Sequence, residues 1–337
     1  MKKTVSFSKR ATNIFFHILT SCNLKCRHCY INKREHGTST LPIDTIETWL
    51  TCFAHKNREA NVIFLGGEPT LHPDLAQAIR KARSLHYQSV TVDTNGYLFH
   101  DFLSAISPSD VDFLSFSLDG ATRKTNDFIR GEGCFDTCVA GIQKAVERGF
   151  STSLIFTASR LNIHELDMMV PFIRKLGINR FFIQVIGIRG NPAAEKSSEE
   201  LENPLQLTRD EWDRRIPTVA EKVAQSGIMV TYPKVFLDLD EPFECAGLVA
   251  DNYFIFPNGR VYRCPLCEDF PLHSLAFRGD RLVPTEKINE NDLFQLDIPE
   301  GCVMNKLIQP RNIKYREPGK PVYKIACCLL KETILPD

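Results

Sequence analysis

The chain has 337 residues, 43% of them hydrophobic, so it exceeds one average domain and can bury a sizeable core. Lys plus Arg and Asp plus Glu both number 41, and this balance argues against a nucleic-acid-binding protein, which usually carries a basic excess. No apolar run approaches the ~20 residues of a bilayer-spanning helix, which argues against a membrane protein.

Short apolar runs with strand character alternate with helical patterns from residue 14 to about residue 187. Between the runs, apolar residues recur at a spacing near 3.6, as they do from Phe135 to Val146. This alternation predicts a parallel sheet with crossover helices. Six units fall short of the eight in a complete TIM barrel, so we expect an α/β fold with a partial (β/α)6 TIM-like barrel. The predicted strands are Ile14–Thr20, Val62–Leu65, Ser89–Asp93, Phe113–Leu118, Ser153–Thr157 and Phe181–Ile186.

The pattern changes towards the C-terminus. Thr208, with Glu211 three residues later, predicts the capped start of a helix that reaches Gly227. Residues 240–337 carry many prolines, six cysteines and few long periodic runs. A loop-rich segment of this size rarely builds enough core alone, so a metal site is expected to stabilise it. We therefore predict a barrel domain over residues 1–232 and a small C-terminal auxiliary domain over residues 233–337.

The chain contains twelve cysteines. Leu19-Thr20-Ser21-Cys22 imitates a lipoprotein signal, but the preceding apolar stretch of about six residues contains His17 and is shorter than a signal h-region. We therefore expect a cytoplasmic protein, in which clustered cysteines bind metal more often than they form disulfides. Nine of the cysteines lie in two sets, over residues 22–29 and 245–328. The other three, Cys52, Cys134 and Cys138, are expected to pack in the core.

The first set is Cys22-x3-Cys26-x2-Cys29, directly after the first predicted strand and followed by Tyr30. Thiolates at this spacing can converge on one face of an iron–sulfur cluster. A [4Fe–4S] cluster usually takes four cysteines, so three leave one iron open to another ligand. The alternatives are a structural zinc site and a ferredoxin-like cluster, and each needs a distant fourth ligand. His28 lies between the cysteines and is expected to orient the loop or to face the ligand of the open iron, rather than to bind iron.

Polar or glycine-rich sequences follow the next three predicted strands. They are Gly66-Gly67-Glu68-Pro69, Thr94-Asn95-Gly96 and Ser117-Leu118-Asp119-Gly120. In barrel-like α/β folds the chemistry sits at the carboxyl ends of the strands. These sequences and the cysteine loop are therefore expected to face one mouth of the barrel.

The cysteine loop and the Gly-Gly-Glu-Pro sequence, about 40 residues apart, resemble the radical S-adenosylmethionine (SAM) superfamily. The resemblance implies an enzyme whose [4Fe–4S] cluster reductively cleaves SAM to a 5′-deoxyadenosyl radical, which abstracts hydrogen from a substrate. It implies that Gly66-Gly67-Glu68-Pro69 binds the methionyl amino group, and the glycines would let the backbone approach this ligand. No catalytic residue is assigned. The further SAM-site residues that the resemblance implies are Tyr30 beside the adenine, Ser117 and Asp119 near the ribose, and Asn95 and Arg130.

The second cysteine set resembles the opening of the auxiliary-cluster modules called SPASM and Twitch, through Cys245, Gly259 and Cys264. The sequence over residues 253–262 predicts a hairpin with a Pro-Asn-Gly turn, which can bring cysteines at its two ends together. Two auxiliary clusters would need about seven or eight cysteines, whereas this region has six, so we expect one auxiliary [4Fe–4S] cluster. A zinc ribbon is the alternative. The candidate ligands are Cys245, Cys264, Cys267, Cys302 and one of the adjacent pair Cys327 and Cys328, which we expect to point different ways.

The substrate is not fixed by these patterns. SPASM and Twitch relatives modify ribosomal peptides, protein side chains, sugars and small molecules. Because about thirteen residues precede the first predicted strand, we expect a small-molecule substrate, or a peptide presented by a partner protein. A low-potential electron donor such as ferredoxin or flavodoxin is also implied. Two alternatives remain: a peptide- or protein-modifying maturase of the SPASM type, and an iron–sulfur electron carrier or redox sensor without SAM chemistry.

Overall fold

The computed structural model describes residues 1–54, 59–194 and 205–336. Its centre is a 13-stranded sheet, beside which two small sheets pair β14 with β15 and β16 with β9. The strands are β1 (Lys2–Val5), β2 (Thr12–His17), β3 (Ala60–Leu65), β4 (Ser89–Thr94), β5 (Phe113–Ser117), β6 (Thr152–Ala158), β7 (Arg180–Val185), β8 (Met229–Pro233), β9 (Phe236–Leu237), β10 (Asp251–Ile255), β11 (Arg260–Tyr262), β12 (Leu275–Arg278), β13 (Arg281–Pro284), β14 (Tyr315–Glu317), β15 (Lys320–Pro321), β16 (Lys324–Ile325) and β17 (Lys331–Ile334).

Helices connect most of the parallel strands, and the capping box predicted at Thr208 is present at the start of the longest one described. The helices are α1 (Lys33–His36), α2 (Ile43–Ala54), α3 (Leu75–Ser84), α4 (Phe102–Ala105), α5 (Arg123–Arg130), α6 (Cys134–Glu147), α7 (Leu166–Lys175), α8 (Asn191–Ala194), α9 (Arg209–Gln225), α10 (Ala246–Val249), α11 (Glu290–Phe294) and α12 (Val303–Ile308). No described helix is both long enough and apolar enough to cross a membrane.

The six predicted strands are β2 to β7, and they form a continuous parallel sheet in chain order. Two further strands extend it. The strand β8, which we did not predict, adds in parallel to β7, and β10, predicted only as part of a hairpin, adds in parallel to β2. The α/β partial barrel is therefore confirmed, with eight parallel strands side by side. The carboxyl ends of β2 to β5 lie at the same edge, so the cysteine loop and the three polar sequences face one mouth.

Each parallel strand has a core face and an opposite face, here called the lumen face. In β3, Val62 and Phe64 are fully buried in the core, whereas Asn61, Ile63 and Leu65 point the other way and stay partly accessible. The alternation follows from the two-residue repeat of a strand. The lumen face of β2 to β7 consists of Asn13, Phe15, His17, Asn61, Ile63, Leu65, Ser89, Thr91, Asp93, Phe113, Ser115, Ser117, Ser153, Ile155, Thr157, Arg180, Phe182 and Gln184.

The C-terminal segment adds strands to both sides of the barrel sheet. The predicted hairpin is present as β10 and β11, and the antiparallel strands β12 and β13 follow it to the sheet edge. At the other side, β17 pairs with β8 and β1 pairs with β17, both antiparallel. The segment after residue 233 is therefore joined to the barrel by backbone hydrogen bonds at both ends.

Candidate active site and second cysteine site

The first cysteine loop lies at the carboxyl end of β2, and its three thiols lie close enough to raise one another's pKa. Cys22 is exposed, whereas Cys26 and Cys29 are partly buried. Backbone hydrogen bonds fix the loop from two sides. Asn191 donates its N–H to the carbonyl of Cys29 (2.9 Å) and its side-chain amide to that of Cys26 (2.7 Å), and Arg27 donates its N–H to the Ile129 carbonyl (2.8 Å).

The donors around the sulfur of Cys22 suit an iron-bound thiolate. The backbone N–H of Leu24 lies 3.4 Å from the sulfur of Cys22, and the Asn95 amide lies 3.9 Å from it. Burial raises the pKa of the Cys26 thiol to about 12, a penalty on the thiolate that a bound cationic cluster offsets. Within the described ranges, no three His, Cys, Asp or Glu side chains converge on a single metal ion. An iron–sulfur cluster does not need such convergence on one ion, because each cysteine thiolate binds a different iron atom.

Glu68 ties the end of β3 to the end of β4. Its carboxylate is 1% exposed and accepts hydrogen bonds from the backbone and hydroxyl of Thr70, from the hydroxyl of Thr94 and from the backbone N–H of Asn95. Asn95 in turn donates its side-chain amide to Asn23 in the cysteine loop (2.8 Å). The Glu68 carboxylate is thus engaged within the protein, and it positions Asn95 against the loop.

Gly66 and Gly67 have a structural role in addition to the expected approach to a ligand. A Cβ at Gly67 would overlap the backbone of Ser21, and one at Gly66 would lie 2.6 Å from the carbonyl oxygen of Leu19. The same backbones are hydrogen-bonded, because Gly67 donates to Leu19 (3.0 Å) and Glu68 donates to Ser21 (2.9 Å). The glycines therefore allow the β3 end to approach the cysteine loop, rather than only a ligand.

Substituting Gly67 tests this close approach. We expect Gly67→Ala to lower the free energy of unfolding by roughly 2–3 kcal/mol, because neither backbone can move aside without breaking hydrogen bonds. Chemical denaturation of the full chain measures the change. Gly187→Ala is the control, since its Cβ would meet the flexible end of Ile308 at 3.3 Å and the Arg189 side chain at ordinary contact distances. Equal stability of the two variants would contradict the argument.

Asp119 is the centre of a buried ion-pair cluster at the end of β5. Its carboxylate is fully buried, lies 2.6 Å from Nε of Arg130 and 2.8 Å from Nε2 of His28, and accepts the backbone N–H of Thr157 (2.7 Å). Burial alone would raise its pKa, but Arg130 and His28 hold the value down to about 2. The expectation that His28 orients the loop fits this contact. Among the described atoms, Nδ1 of His28 is buried without a hydrogen-bond partner, which suits a ligand beside the loop.

Tyr30 and Ser117 lie at the same mouth. The Tyr30 hydroxyl is hydrogen-bonded to Nε2 of His17 (2.7 Å), and the guanidinium of Arg189 lies 4.7 Å from the centre of the Tyr30 ring. The His17 ring stacks on Phe256, which belongs to the turn of the β10–β11 hairpin. Ser117 ends β5 on the lumen face and is partly accessible. The structure thus brings the sequence-predicted residues of the first site together at one mouth.

A short loop after β7 connects the two cysteine sites, and no sequence motif marks this loop. Arg189 donates to the carbonyl of Pro265 and to the Glu268 carboxylate (3.0 Å), both beside the second cysteine set. Gly190 has a φ of +59°, and a Cβ there would overlap the carbonyl oxygen of Cys29. Together with the hydrogen bonds of Asn191, these contacts link the first cysteine loop to the second cysteine set.

The second cysteine set converges on one apolar cavity in the C-terminal segment. Cys267 does not line the cavity, but its thiol is hydrogen-bonded to that of Cys264. The adjacent thiols of Cys327 and Cys328 do not point different ways as we expected, because they contact each other and both line the cavity. The lining includes Phe294, Met304 and five cysteines, which are Cys245, Cys264, Cys302, Cys327 and Cys328.

Backbone N–H groups point at several of these sulfurs. Asn305 donates to Cys302 (3.5 Å), and Cys245 and Cys327 also accept backbone hydrogen bonds. The buried carboxylate of Glu290 fixes the turn that carries Cys264, because it accepts that residue's backbone N–H (3.0 Å). This role of Glu290 could not be read from the sequence, since the two residues are 26 positions apart.

The remaining cysteines lie outside both sets. Cys134 and Cys138 on α6 are buried, at 2% and 1% exposure, as expected for core packing. Cys52 on α2 is partly buried and its thiol lies 3.2 Å from the carbonyl oxygen of Asp280. These three provide controls for substitutions at the two cysteine sites.

The fold and the three-cysteine loop at its strand ends define an α/β partial-barrel enzyme of the kind that holds an iron–sulfur cluster. A model described as the Radical SAM superfamily matches residues 17–173. A probable GTP 3′,8-cyclase of Saccharolobus islandicus (strain L.S.2.15 / Lassen #1) is 30% identical over 255 residues, which cover 74% of this chain and 80% of that protein. The chain belongs to the radical SAM superfamily and is a radical SAM enzyme, which implies a [4Fe–4S] cluster and SAM as cofactors.

Solved structures agree with this fold. Streptococcus suis SuiB matches with a TM-score of 0.65 at 15% identity, over 93% of this chain and 76% of that one. Native anSMEcpe with bound AdoMet matches with a TM-score of 0.63 at 13% identity, over 89% of this chain and 88% of that one. At these identities the likeness concerns the fold alone.

Proposed function

We propose that Cys22, Cys26 and Cys29 are the ligands of the [4Fe–4S] cluster that cleaves SAM. The observation that carries the proposal is the convergence of the three thiols at the mouth, with two N–H donors aimed at the sulfur of Cys22. When bound, the reduced cluster and SAM supply the 5′-deoxyadenosyl radical that abstracts hydrogen from a substrate. The chain's own residues bind and orient these groups and shield them from water.

The proposed SAM site surrounds this loop. Glu68 and Asp119 are engaged by protein partners, so we propose that they act mainly by holding Gly66, Gly67, Pro69 and the cysteine loop in place. Asn95 bridges to the loop. Tyr30 is proposed beside the adenine, Ser117 and the Asp119 strand end near the ribose, and Arg130 as the cation that fixes Asp119.

The second site is proposed to hold one auxiliary [4Fe–4S] cluster, as in SPASM and Twitch modules. Cys245, Cys264, Cys302 and Cys327 are the proposed ligands, because all four line the cavity and three of them accept backbone N–H groups at sulfur. Cys267 and Cys328 touch ligand thiols and would lie beside the cluster. With the domain boundary proposed near residue 233, each domain would hold one of the two clusters. The strands before and after this boundary nevertheless belong to one sheet.

Removing the auxiliary ligands should separate the two sites. We expect the double variant Cys245→Ala, Cys264→Ala to lose about four of about eight irons per chain and to keep SAM cleavage above background. Iron analysis and 5′-deoxyadenosine quantification measure the two effects. The double variant Cys134→Ala, Cys138→Ala removes as many cysteines from the core and should keep its iron. Full iron content in the first variant would end the auxiliary-cluster proposal.

The substrate is proposed to be a small molecule or a peptide, bound in the lumen, and the electron donor to be a ferredoxin or flavodoxin. A second candidate function is cyclisation of GTP, favoured by the 30% identity to a probable GTP 3′,8-cyclase. Incubation of the reduced enzyme with SAM and GTP distinguishes cyclisation of GTP from a reaction on another small molecule or a peptide. GTP consumption matched by 5′-deoxyadenosine would support the cyclase, and unchanged GTP would support another substrate.

The primary test is anaerobic reconstitution with iron, sulfide, SAM and a strong reductant. Release of 5′-deoxyadenosine and methionine in equal amounts is the expected result. Intact clusters with no cleavage would instead indicate an electron carrier, and would overturn the proposed function.

A further inference from the structure

The lumen face carries a carboxylate, Asp93, that no side-chain cation of the described residues neutralises. In β4 its neighbour Val92 is fully buried on the core face, so Asp93 points into the lumen and stays partly accessible. No described Lys, Arg or His side chain forms an ion pair with it. The groups that act on the carboxylate are the Ser115 hydroxyl, which is hydrogen-bonded to it, and the carboxylate of Glu68, which carries the same charge.

Asp93 begins a polar row across three strands. Strand register places it opposite Ser115 and places Ser115 opposite Ser153. The two serine hydroxyls are hydrogen-bonded to each other. Hydroxyls stabilise a carboxylate by donation but carry no charge. The row therefore combines the partly accessible carboxylate of Asp93 with the buried, neutral hydroxyls of the two serines.

Positive charge is scarce on this face. Among the lumen-face positions of β2 to β7, the strongly basic side chain is Arg180, whose guanidinium lies 3.7 Å over the ring of Phe113, at the start of β5. Burial lowers the pKa of His17 to about 3, so it is neutral. At the mouth, Arg189 is paired with Glu268. Among these residues an anion such as a triphosphate would find only Arg180, which is at the amino end of β7 and stacks on Phe113, and a buried unpaired charge is costly.

The carboxylate lies next to the proposed SAM site. Asp93 is two positions before Asn95, which contacts the cysteine loop, and its charge acts on the Tyr30 phenol at the mouth. Burial and the Glu68 carboxylate raise the pKa of Asp93 to about 7, against the donation from Ser115. A cationic group of a ligand beside Asp93 would stabilise its ionised form and lower this pKa. Carboxylates with a perturbed pKa in clefts often mark ligand sites.

We propose that Asp93 is the specificity-determining contact for a protonated amine or guanidinium group of the substrate, held in the lumen beside SAM. This inference rests on the proposed function and names the substrate class for the same site. The cation could also belong to SAM, whose ammonium and sulfonium groups share the chemistry. The position of Asp93 on the lumen face, farther from the cysteine loop than Asn95, favours the substrate.

Crystals of the reconstituted holoenzyme with SAM, soaked in 4-bromobenzylammonium or in 4-bromobenzoate, test the charge preference. The expected result is an anomalous bromine peak in the lumen for the ammonium probe alone, with its nitrogen within hydrogen-bond distance of Asp93. Asp93→Asn should abolish the peak, whereas Thr91→Val, on the same face of β4, should keep it. Binding of the benzoate instead, binding of the ammonium elsewhere, or an empty lumen would each overturn the proposal.

Calorimetry on the same proteins separates the two sources of the cation. SAM should bind Asp93→Asn within twofold of the wild type, and the ammonium probe at least tenfold more weakly. A tenfold loss of SAM affinity would assign Asp93 to SAM and overturn the substrate contact, as would tight binding of GTP that depends on Asp93. Absence of 5′-deoxyadenosine from the reduced wild type would defeat the proposed function separately, because the binding results do not depend on cleavage.

Discussion

Replacing Cys22, Cys26 and Cys29 together with alanine is expected to remove about four irons per chain and to reduce 5′-deoxyadenosine formation to background. The reason is geometric. The three thiols lie in one loop, and the histidine within that loop, His28, is held by Asp119 and so is not available to replace them. Iron and sulfide analysis, with electron paramagnetic resonance of the reduced protein, measures the loss.

The matched control removes three cysteines from outside both sites, as Cys52→Ala, Cys134→Ala and Cys138→Ala. Two of these side chains are buried and the third is half-buried, so some loss of stability is expected but no loss of iron. SAM cleavage that survives in the first triple variant would mean that the radical chemistry starts elsewhere. Equal iron loss in both triple variants would mean that cysteine removal acts only through folding.

The sequence predicts the parallel strands well because each carries its own evidence. The runs behind β2 to β7 are apolar, bounded by turn residues and separated by helical periodicity, all of which are local properties. The sequence predicts β10 only as one strand of a hairpin, and this hairpin is present. Its parallel pairing with β2 joins residues more than 230 positions apart, and no local pattern encodes such a pairing.

The site shows the same division between local and distant information. The spacing of Cys22, Cys26 and Cys29 encodes their convergence, because a short loop cannot separate them. The partners of that loop, Asn191 and Asp119, come from other strand ends. The motif marks the glycines at positions 66 and 67, but the backbone that a Cβ there would meet, that of Leu19 and Ser21, is revealed only by the folded chain.

A second prediction with a large effect concerns Asp119. We expect Asp119→Asn to lower the free energy of unfolding at pH 7 by about 3–5 kcal/mol, because it leaves the buried guanidinium of Arg130 without its counter-ion. Chemical denaturation of the full chain under anaerobic conditions measures this. Asp136→Asn is the matched control, since its pair with Arg123 is 57% and 68% exposed, and such pairs contribute about 1 kcal/mol or less.

The pH dependence of this difference distinguishes an ion pair from simple packing. The pKa of Asp119 falls from 3.8 to about 2 on folding, so the folded state holds its proton less tightly than the unfolded state. Its ionic contribution, about 2 kcal/mol, is therefore fully present above about pH 4 and is lost as the pH falls towards 2. The stability gap between wild type and Asp119→Asn should be level from pH 8 to 5 and shrink below 4. A gap that stays constant through this lower range would assign Asp119 a packing role and remove the electrostatic anchor from the cysteine loop.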